Sequence, residues 1–111
     1  MSSYEFEQLD GEGETVQVRL AGEVDLTNVG ELEERLTAIA PPEAQLVLDL
    51  NRVVFVDSAA LHLLFKLARR QEHGKLALVV DPTASIARVM AIVGLAQAAR
   101  IVASTDELSS T

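Results

Sequence analysis

The chain of 111 residues is long enough for one domain, and its 49% of hydrophobic residues, with no Trp, predict a core of Leu, Val, Ile and Ala. The absence of cysteine excludes disulfides, thiolate catalysis and cysteine-ligated zinc or iron–sulfur sites. The net charge of −8 argues against a protein that binds the phosphate backbone of nucleic acids.

The sequence also lacks the usual signals for export or membrane insertion. The first 14 residues carry acidic but no basic side chains, so we expect no signal peptide. No apolar run approaches the roughly 20 residues that a membrane span needs, so we expect no membrane insertion. Together with the lack of cysteine, these features favour a cytoplasmic protein.

The first two predicted elements are the strands of a β-hairpin. Residues 4–9 alternate imperfectly between apolar and polar, residues 15–21 alternate cleanly, and a glycine-rich turn lies between them. We expect residues 22–25 to break the second strand.

An amphipathic helix follows the hairpin. Thr27 or Asn28 can cap its start, and Pro41 with Pro42 ends it. Its apolar residues recur at helical spacing: Val29, Leu32, Leu36 and Ile39.

Two apolar runs come next, at residues 46–50 and 53–56. Runs of this kind are typical of strands buried on both faces of a parallel sheet. Two interpretations stay open here: one strand with an irregular exit at Asn51 and Arg52, or a strand followed by an extended loop.

A second helix is predicted after Asp57 and Ser58, with Gly74 as its C-terminal cap. The predicted apolar stripe consists of Leu61, Leu64, Phe65 and Ala68. The residues expected on the polar side are His62, Lys66, Arg69 and Arg70.

The rest of the chain repeats the pattern of strand and helix. We predict a buried strand at 76–80, a turn at 81–83, a third helix closed by Gly94, a short strand at 100–102 and a short helix at 105–108, with 109–111 frayed. The predicted stripe of the third helix is Ile86, Val89, Met90 and Val93, with Met90 in the core.

This order of elements predicts an α/β fold. Alternating strands and helices in the second half indicate parallel crossover units, and the opening hairpin adds an antiparallel edge. We therefore expect one domain over residues 1–111, with a mixed sheet of four or five strands, an N-terminal β-hairpin and three to four helices packed against the sheet.

The most informative position is the junction at which a buried strand meets the start of the second helix. Free backbone N–H groups and the helix dipole favour negative charge there, and Ser58 carries a hydroxyl group. Phosphorylation would add a charge of about −1.5 to −2, which the helix start tolerates but a docked partner need not. Ser and Asp are also common N-caps, so a purely structural role stays open.

Residues 46–70, LVLDLNRVVFVDSAALHLLFKLARR, resemble the central motif of the STAS family (sulfate transporter and anti-sigma factor antagonist). Residues 20–36, LAGEVDLTNVGELEERL, resemble the Gly-Glu-x-Asp segment and first helix of that family, and residues 75–95 match it in layout. The resemblance covers nearly the whole chain, and the chain resembles the anti-sigma factor antagonist type of the family.

The resemblance implies a role for each matching position. Ser58 matches the serine that is phosphorylated in the antagonists, Asp57 the acid before it, and Asp25 the acid of the loop near that serine. The unphosphorylated protein would bind an anti-sigma factor that is also a serine kinase, so that a sigma factor is released; a phosphatase would reset the switch. The implied partner-binding residues are Asp25, Thr27, Asn28, Asp57, Ser58, Ala59, Leu61 and His62.

The chain departs from the family pattern at Ala60 and His62, where members often have glycine. This departure motivates an alternative, namely a phosphorylation-independent scaffold or an accessory subunit of a transporter or signalling complex. A small hydrolase built on Ser58, His62 and Asp25 is a third interpretation, but the Gly-x-Ser-x-Gly elbow is absent, so we expect no enzyme. With no glycine-rich phosphate loop and two isolated histidines, we expect neither cofactor nor metal.

Overall fold

The computed structural model describes residues 2–11 and 13–108. The strands are β1 (Tyr4–Leu9), β2 (Thr15–Val24), β3 (Gln45–Val56), β4 (Leu76–Val79) and β5 (Arg100–Val102). The α-helices are α1 (Val29–Ile39), α2 (Ser58–Arg70) and α3 (Ser85–Ile92), and short 3-10 helices cover Leu95–Gln97 and Thr105–Leu108. Residues 109–111, predicted to be frayed, lie outside the described residues.

The five strands form one mixed sheet in the order β1-β2-β3-β4-β5. The hairpin strands β1 and β2 pair antiparallel, and every later pair is parallel. The predicted α/β class, the N-terminal hairpin and the mixed sheet are therefore confirmed, with five strands and three α-helices in the part of the chain that the structure describes.

All three α-helices cover the same face of the sheet. Crossovers between parallel strands are right-handed, and each new strand is added on the same side of the previous one, so each helix returns over the same face. The main core lies between this face and the helices, and it contains residues such as Leu48 of β3, Leu36 of α1, Leu67 of α2 and Met90 of α3. A smaller apolar cluster on the opposite face is built from Val47, Ala77, Val79 and Val102, with Leu108 packed against it.

Strand β2 is longer than the sequence predicts. The expected break at residues 22–25 was wrong, because β2 continues through Val24 and pairs with both neighbouring strands. Gly22 makes this continuation possible, since it adopts φ 92° opposite Tyr4, and Glu23 N–H donates to the Ser3 carbonyl at 2.9 Å.

Strand β3 settles the choice between the two interpretations of the apolar runs, because it is a single strand of 12 residues. Its pairing with β2 slips twice, once between the partners of Arg19 and Ala21 and once between those of Gly22 and Glu23. The extra residues lie on β3, and such bulges turn side chains away from the regular alternation. Val54 and Phe55 are consequently exposed, so the prediction that this second run is buried on both faces was wrong for them.

The buried face of helix α2 is rotated about the helix axis relative to the predicted apolar stripe. Its buried residues are Ala60, Leu63, Leu64 and Leu67. Leu61, Phe65 and Ala68 are only half-buried at the margin of the core. Apolar residues occupy more than half of this helix, so spacing alone could not locate the centre of the face that meets the sheet.

The end of α2 also differs from the prediction. The helix ends at Arg70, and Gln71 is its C-cap, so Gly74 instead supplies a positive-φ turn before β4. The buried Gln71 side chain donates to the carbonyl groups of Pro41 and Ala44, both at 2.9 Å. Arg70 was wrongly placed on the solvent side, because it donates to the Ala40 carbonyl at 2.6 Å.

Helix α3 confirms part of its predicted stripe. Ile86 and Met90 are buried, whereas Val89 and Val93 are exposed, and Gly94 follows the helix with φ 77° as predicted. The neighbouring strands β4 and β5 are short, so the sheet presents only a narrow surface to α3. None of the helices in residues 2–11 and 13–108 combines the length and apolar character needed to cross a membrane.

Candidate functional site

The candidate site lies where β3 ends and α2 begins. After the second bulge, Phe55 and Val56 still pair with Glu23 and Val24 of β2, and Asp57 then adopts an extended conformation before the first helical residue, Ser58. The bulged backbone aims Val54 and Phe55 outward, with 75% and 50% of their surfaces exposed. The junction therefore combines a helix start with uncovered apolar side chains.

The carboxylate of Asp57 joins this junction to the loop between β2 and α1. Its Oδ1 accepts a hydrogen bond from Ala60 N–H at 2.9 Å, which caps α2. Its Oδ2 accepts one from Leu26 N–H at 3.0 Å, across 31 residues of sequence. Asp57 therefore holds the two segments of the site together.

A second set of hydrogen bonds shapes the loop that carries Asp25. The Asp25 carboxylate accepts from the backbone N–H of Thr27 at 2.9 Å and from its hydroxyl group at 2.5 Å. Asn28 accepts from Asp25 N–H at 3.0 Å and donates to the Glu23 carbonyl at 2.9 Å. Of the two predicted caps, Thr27 and Asn28, it is Asn28 that occupies the N-cap position of α1, but its side chain bonds backward into the loop and does not cap the helix.

The electrostatic character of Asp25 follows from these contacts. Hydrogen bonds from Ser2 and then from Thr27 hold the pKa of the Asp25 carboxyl below its ordinary value of 3.8. Asp25 is therefore a carboxylate at neutral pH and contributes a fixed negative charge beside the junction.

Ser58 is an accessible hydroxyl-bearing residue of the site. Its side chain is exposed, and its hydroxyl group has no hydrogen-bond partner among the described residues. As the first residue of α2, it lies at the end of the helix where backbone N–H groups and the dipole favour negative charge. An added phosphate group could be accommodated there without displacing any side chain from the core.

The other predicted site residues differ in how far they reach the surface. His62 is exposed one turn along α2, while Ala59 and Leu61 are half-buried. Thr27 is exposed in the loop, and Asn28 is half-buried by its backbone contacts. The eight residues thus occupy two adjacent segments, residues 25–28 and 57–62.

The geometry does not assemble a Ser-His-Asp triad. Among the described residues, no hydrogen bond connects Ser58 with His62, and the Asp25 carboxylate accepts its hydrogen bonds from Ser2 and Thr27. A triad requires the serine to bond to the histidine and the histidine to bond to the acid. In the described part of the chain, no group of three or more metal-binding side chains converges either.

Two residues of the site were missed from the sequence. Leu26 is 75% exposed in the loop, and Phe55 lies at the exposed end of β3. The available signal was the single large apolar residue between Asp25 and Thr27, in an otherwise polar loop. Phe55 gave no such signal, because its run resembles buried strand sequence.

Several solved structures resemble this fold, among them three that are described as anti-sigma factor antagonists or as SpoIIAA. The anti-sigma factor antagonist from Mycobacterium paratuberculosis has a TM-score of 0.82 at 23% identity, over 95% of this chain and 90% of that one. The unphosphorylated anti-sigma factor antagonist SpoIIAA has a TM-score of 0.73 at 21% identity, over 94% and 93%. The Bacillus cell fate determinant SpoIIAA in its phosphorylated form has a TM-score of 0.66 at 21% identity, over 94% and 96%.

The family comparison adds evidence from the sequence itself. A search of curated proteins finds no match. A family model described as "Mlab, STAS domain" matches residues 7–103, which is most of the chain. The chain therefore belongs to the STAS domain family.

Proposed function

We propose that this protein is a cytoplasmic, non-catalytic anti-sigma factor antagonist that is switched by phosphorylation of Ser58. Unphosphorylated, it binds an anti-sigma factor serine kinase, and the sigma factor held by that kinase is released. The kinase then transfers the γ-phosphoryl group of ATP to Ser58 Oγ, with loss of the hydroxyl proton and release of ADP. A phosphatase hydrolyses the phosphoserine and restores binding.

The observation that carries this proposal is the exposed Ser58 hydroxyl group at the first residue of α2. Solved proteins of similar fold are described as anti-sigma factor antagonists, and one of them is described in a phosphorylated form. A kinase needs a hydroxyl group that is uncovered and free to be aligned with ATP, and Ser58 meets both requirements.

The surface around Ser58 suits a protein partner. Leu26 and Phe55 expose apolar surface in the two segments that meet at the junction, and Asp25 and Asp57 supply carboxylates in the same segments. Protein interfaces commonly place apolar anchors in the centre and polar groups at the rim. A phosphate dianion added among these groups would have to be desolvated on docking, and this cost would end the complex.

The first experiment measures phosphorylation. The protein is incubated with a candidate anti-sigma factor kinase and ATP, and its intact mass is expected to rise by one phosphoryl group. Ser58→Ala should abolish the mass gain. Ser85→Ala is the matched control, because Ser85 is also an exposed first residue of a helix, and this variant should still gain the phosphoryl group. No mass gain on the wild type, together with no complex in the absence of ATP, would refute the proposal.

The second experiment measures binding to the kinase by calorimetry without ATP turnover. Leu26→Ser and Phe55→Ser should each weaken the complex about tenfold or more, as expected for apolar contacts at the centre of an interface. Ile92→Ser on α3 is the matched control, since Ile92 is 76% exposed and Leu26 is 75% exposed. Equal weakening by Ile92→Ser would place the interface elsewhere.

A phosphorylation-independent scaffold or accessory subunit of a transporter is the second candidate function. It is favoured by Ala60, which is packed in the core at a position where family members often have glycine. Copurification with a transport ATPase that Ser58→Asp leaves unchanged would support this candidate. Loss of every complex in Ser58→Asp would exclude it.

A further inference from the structure

We propose that His62 is the intramolecular partner of a phosphate group on Ser58 and holds the dianion against the exposed side of α2. This inference rests on the proposed phosphorylation of Ser58. It adds a positioning residue, carried by this chain, that controls the charge and direction of the phosphate.

The helix geometry places the two side chains side by side. Ser58 is the first residue of α2 and His62 follows four positions later, so their Cβ atoms are about 5–6 Å apart on one face. Both side chains are exposed, and neither has a hydrogen-bond partner among the described residues. An anionic residue N-terminal to a cationic one at this spacing is also the more favourable order for a pair on a helix.

The charges on α2 and α1 leave His62 available for this contact. Lys66 lies one turn beyond His62, but its ammonium group is paired with Glu33 of α1 at 3.0 Å. Arg69 lies a further turn away, near the C-terminal end of the helix. His62 is therefore the cationic candidate nearest to Ser58 on its own helix.

The negative charges that precede Ser58 also favour a position of the phosphate group close to His62. Asp57 directly precedes Ser58, and the loop carrying Asp25 is bonded to Asp57 through Leu26. Repulsion from these carboxylates drives a dianion away from the loop and along α2. The charged residues of β3, Asp49 and Arg52, lie beside Arg19 on the opposite face of the sheet.

The pair would be coupled in its protonation. A phosphate monoester loses its second proton near pH 6, close to the range in which a histidine side chain titrates. A cationic imidazole beside the phosphate favours the dianion, so the phosphate should lose its second proton at lower pH than it would without this neighbour. The net charge that phosphorylation adds to this surface would then depend on pH near neutrality.

The test uses protein with phosphoserine inserted at position 58 during translation, so that no kinase is required. The phosphorus NMR titration of the wild type is compared with that of His62→Gln and His62→Lys. We expect His62→Gln to raise the phosphate midpoint by at least about 0.3 pH units, about twofold in proton affinity, and His62→Lys to keep it low. An unchanged midpoint in His62→Gln would overturn the inference.

The second histidine provides the internal control. His73 lies beyond the end of α2, about 18 Å or more along the helix from Ser58, which exceeds the screening length in physiological salt. His73→Gln should leave the phosphate midpoint unchanged, and the ring signals of His73 should not respond to phosphorylation. Equal responses at His62 and His73 would show a general effect of charge and would also overturn the inference.

This design separates the two proposals. If the kinase does not modify Ser58 but the inserted phosphoserine interacts with His62, the proposed function fails and the pair stands. If the kinase modifies Ser58 but the phosphate midpoint is unchanged in His62→Gln, the proposed function is supported and the proposed contact between the phosphate and His62 is refuted.

Discussion

At the scale of single residues, the Asp25 carboxylate of the site is held by local hydrogen bonds, and a second aspartate, Asp81, is held in the same way. The segments Asp25-Leu26-Thr27 and Asp81-Pro82-Thr83 follow β2 and β4 and form the same turn. In each, the threonine backbone N–H and hydroxyl donate to the aspartate two residues earlier. Asp-x-Thr after a strand therefore produces a stable turn with a charged carboxylate.

We predict that Thr27→Val raises the pKa of Asp25 toward 3.8, because it removes one of the bonds that stabilise the ionised form. The pKa of Asp81, held low by Thr83, should not move. Carboxyl carbon NMR titrations measure both values in one sample, and Thr83→Val is the reciprocal control. A shift of both carboxyl groups in either variant would contradict the assignment.

The hydrogen bond from the Thr27 hydroxyl group to the Asp25 carboxylate also makes the stability of the fold depend on pH. The pKa of Asp25 is lower in the folded protein than in the unfolded chain. The ionised carboxylate therefore stabilises the fold at pH values above the unfolded pKa, and this stabilisation is lost as the pH falls through the folded pKa. The difference in stability between the wild type and Thr27→Val should therefore be present at pH 7 and shrink below about pH 4. Urea unfolding at several pH values measures it.

Asp57 is the residue on which both segments of the site depend. We predict that Asp57→Ala lowers the free energy of unfolding by about 1–2 kcal/mol, because the N–H groups of Ala60 and Leu26 lose their acceptor. Asp57→Asn keeps one oxygen and should lose less. Urea unfolding measures both variants, and an Asp57→Ala protein as stable as the wild type would disprove the bridging role.

At the scale of elements, bulges determine what the strands present to their surroundings. Gly22 allows β2 to continue to Val24, within the predicted break, and two slips in β3 turn Val54 and Phe55 outward. The hydrophobic pattern identified β3 as a strand but could not place these slips. A bulge depends on the pairing of two strands, whereas the pattern is a property of one.

We predict opposite effects for alanine at two glycines. In Gly22→Ala the new Cβ would meet the Ser3 carbonyl oxygen at 2.6 Å at a positive φ, so stability should fall by more than about 1 kcal/mol. Gly30→Ala in α1 meets nothing within 4 Å and should gain about 0.5–1 kcal/mol. Thermal unfolding compares the two, and a stable Gly22→Ala variant would contradict the strained position.

At the scale of the whole molecule, the sheet divides the protein into a large core under the helices and a small cluster on the other face. Burial therefore depends on where a residue lies in the sheet as well as on its type. Leu48 and Val54 belong to the same strand, yet Leu48 is fully buried and Val54 is 75% exposed.

We predict that Leu48→Ala costs about 2–5 kcal/mol of stability, since it leaves a cavity in the core. Val54→Ala on the same strand should change stability by less than about 0.5 kcal/mol. Chemical unfolding tests the pair. Similar losses in both variants would mean that Val54 is covered in solution.

The sequence by itself determined the strand and helix order, the hairpin, the position of Ser58 at a helix start and the resemblance to the STAS family. These features depend on short-range chemistry: alternation, helical spacing, capping residues and turn residues act over a few positions. The tertiary structure alone decided which side of α2 is buried, that Gln71 bonds the α1–β3 connection, and that Leu26 lies beside Asp57. Those contacts join residues about 30 positions apart, and they exist only once strand register and right-handed crossovers have brought the segments together.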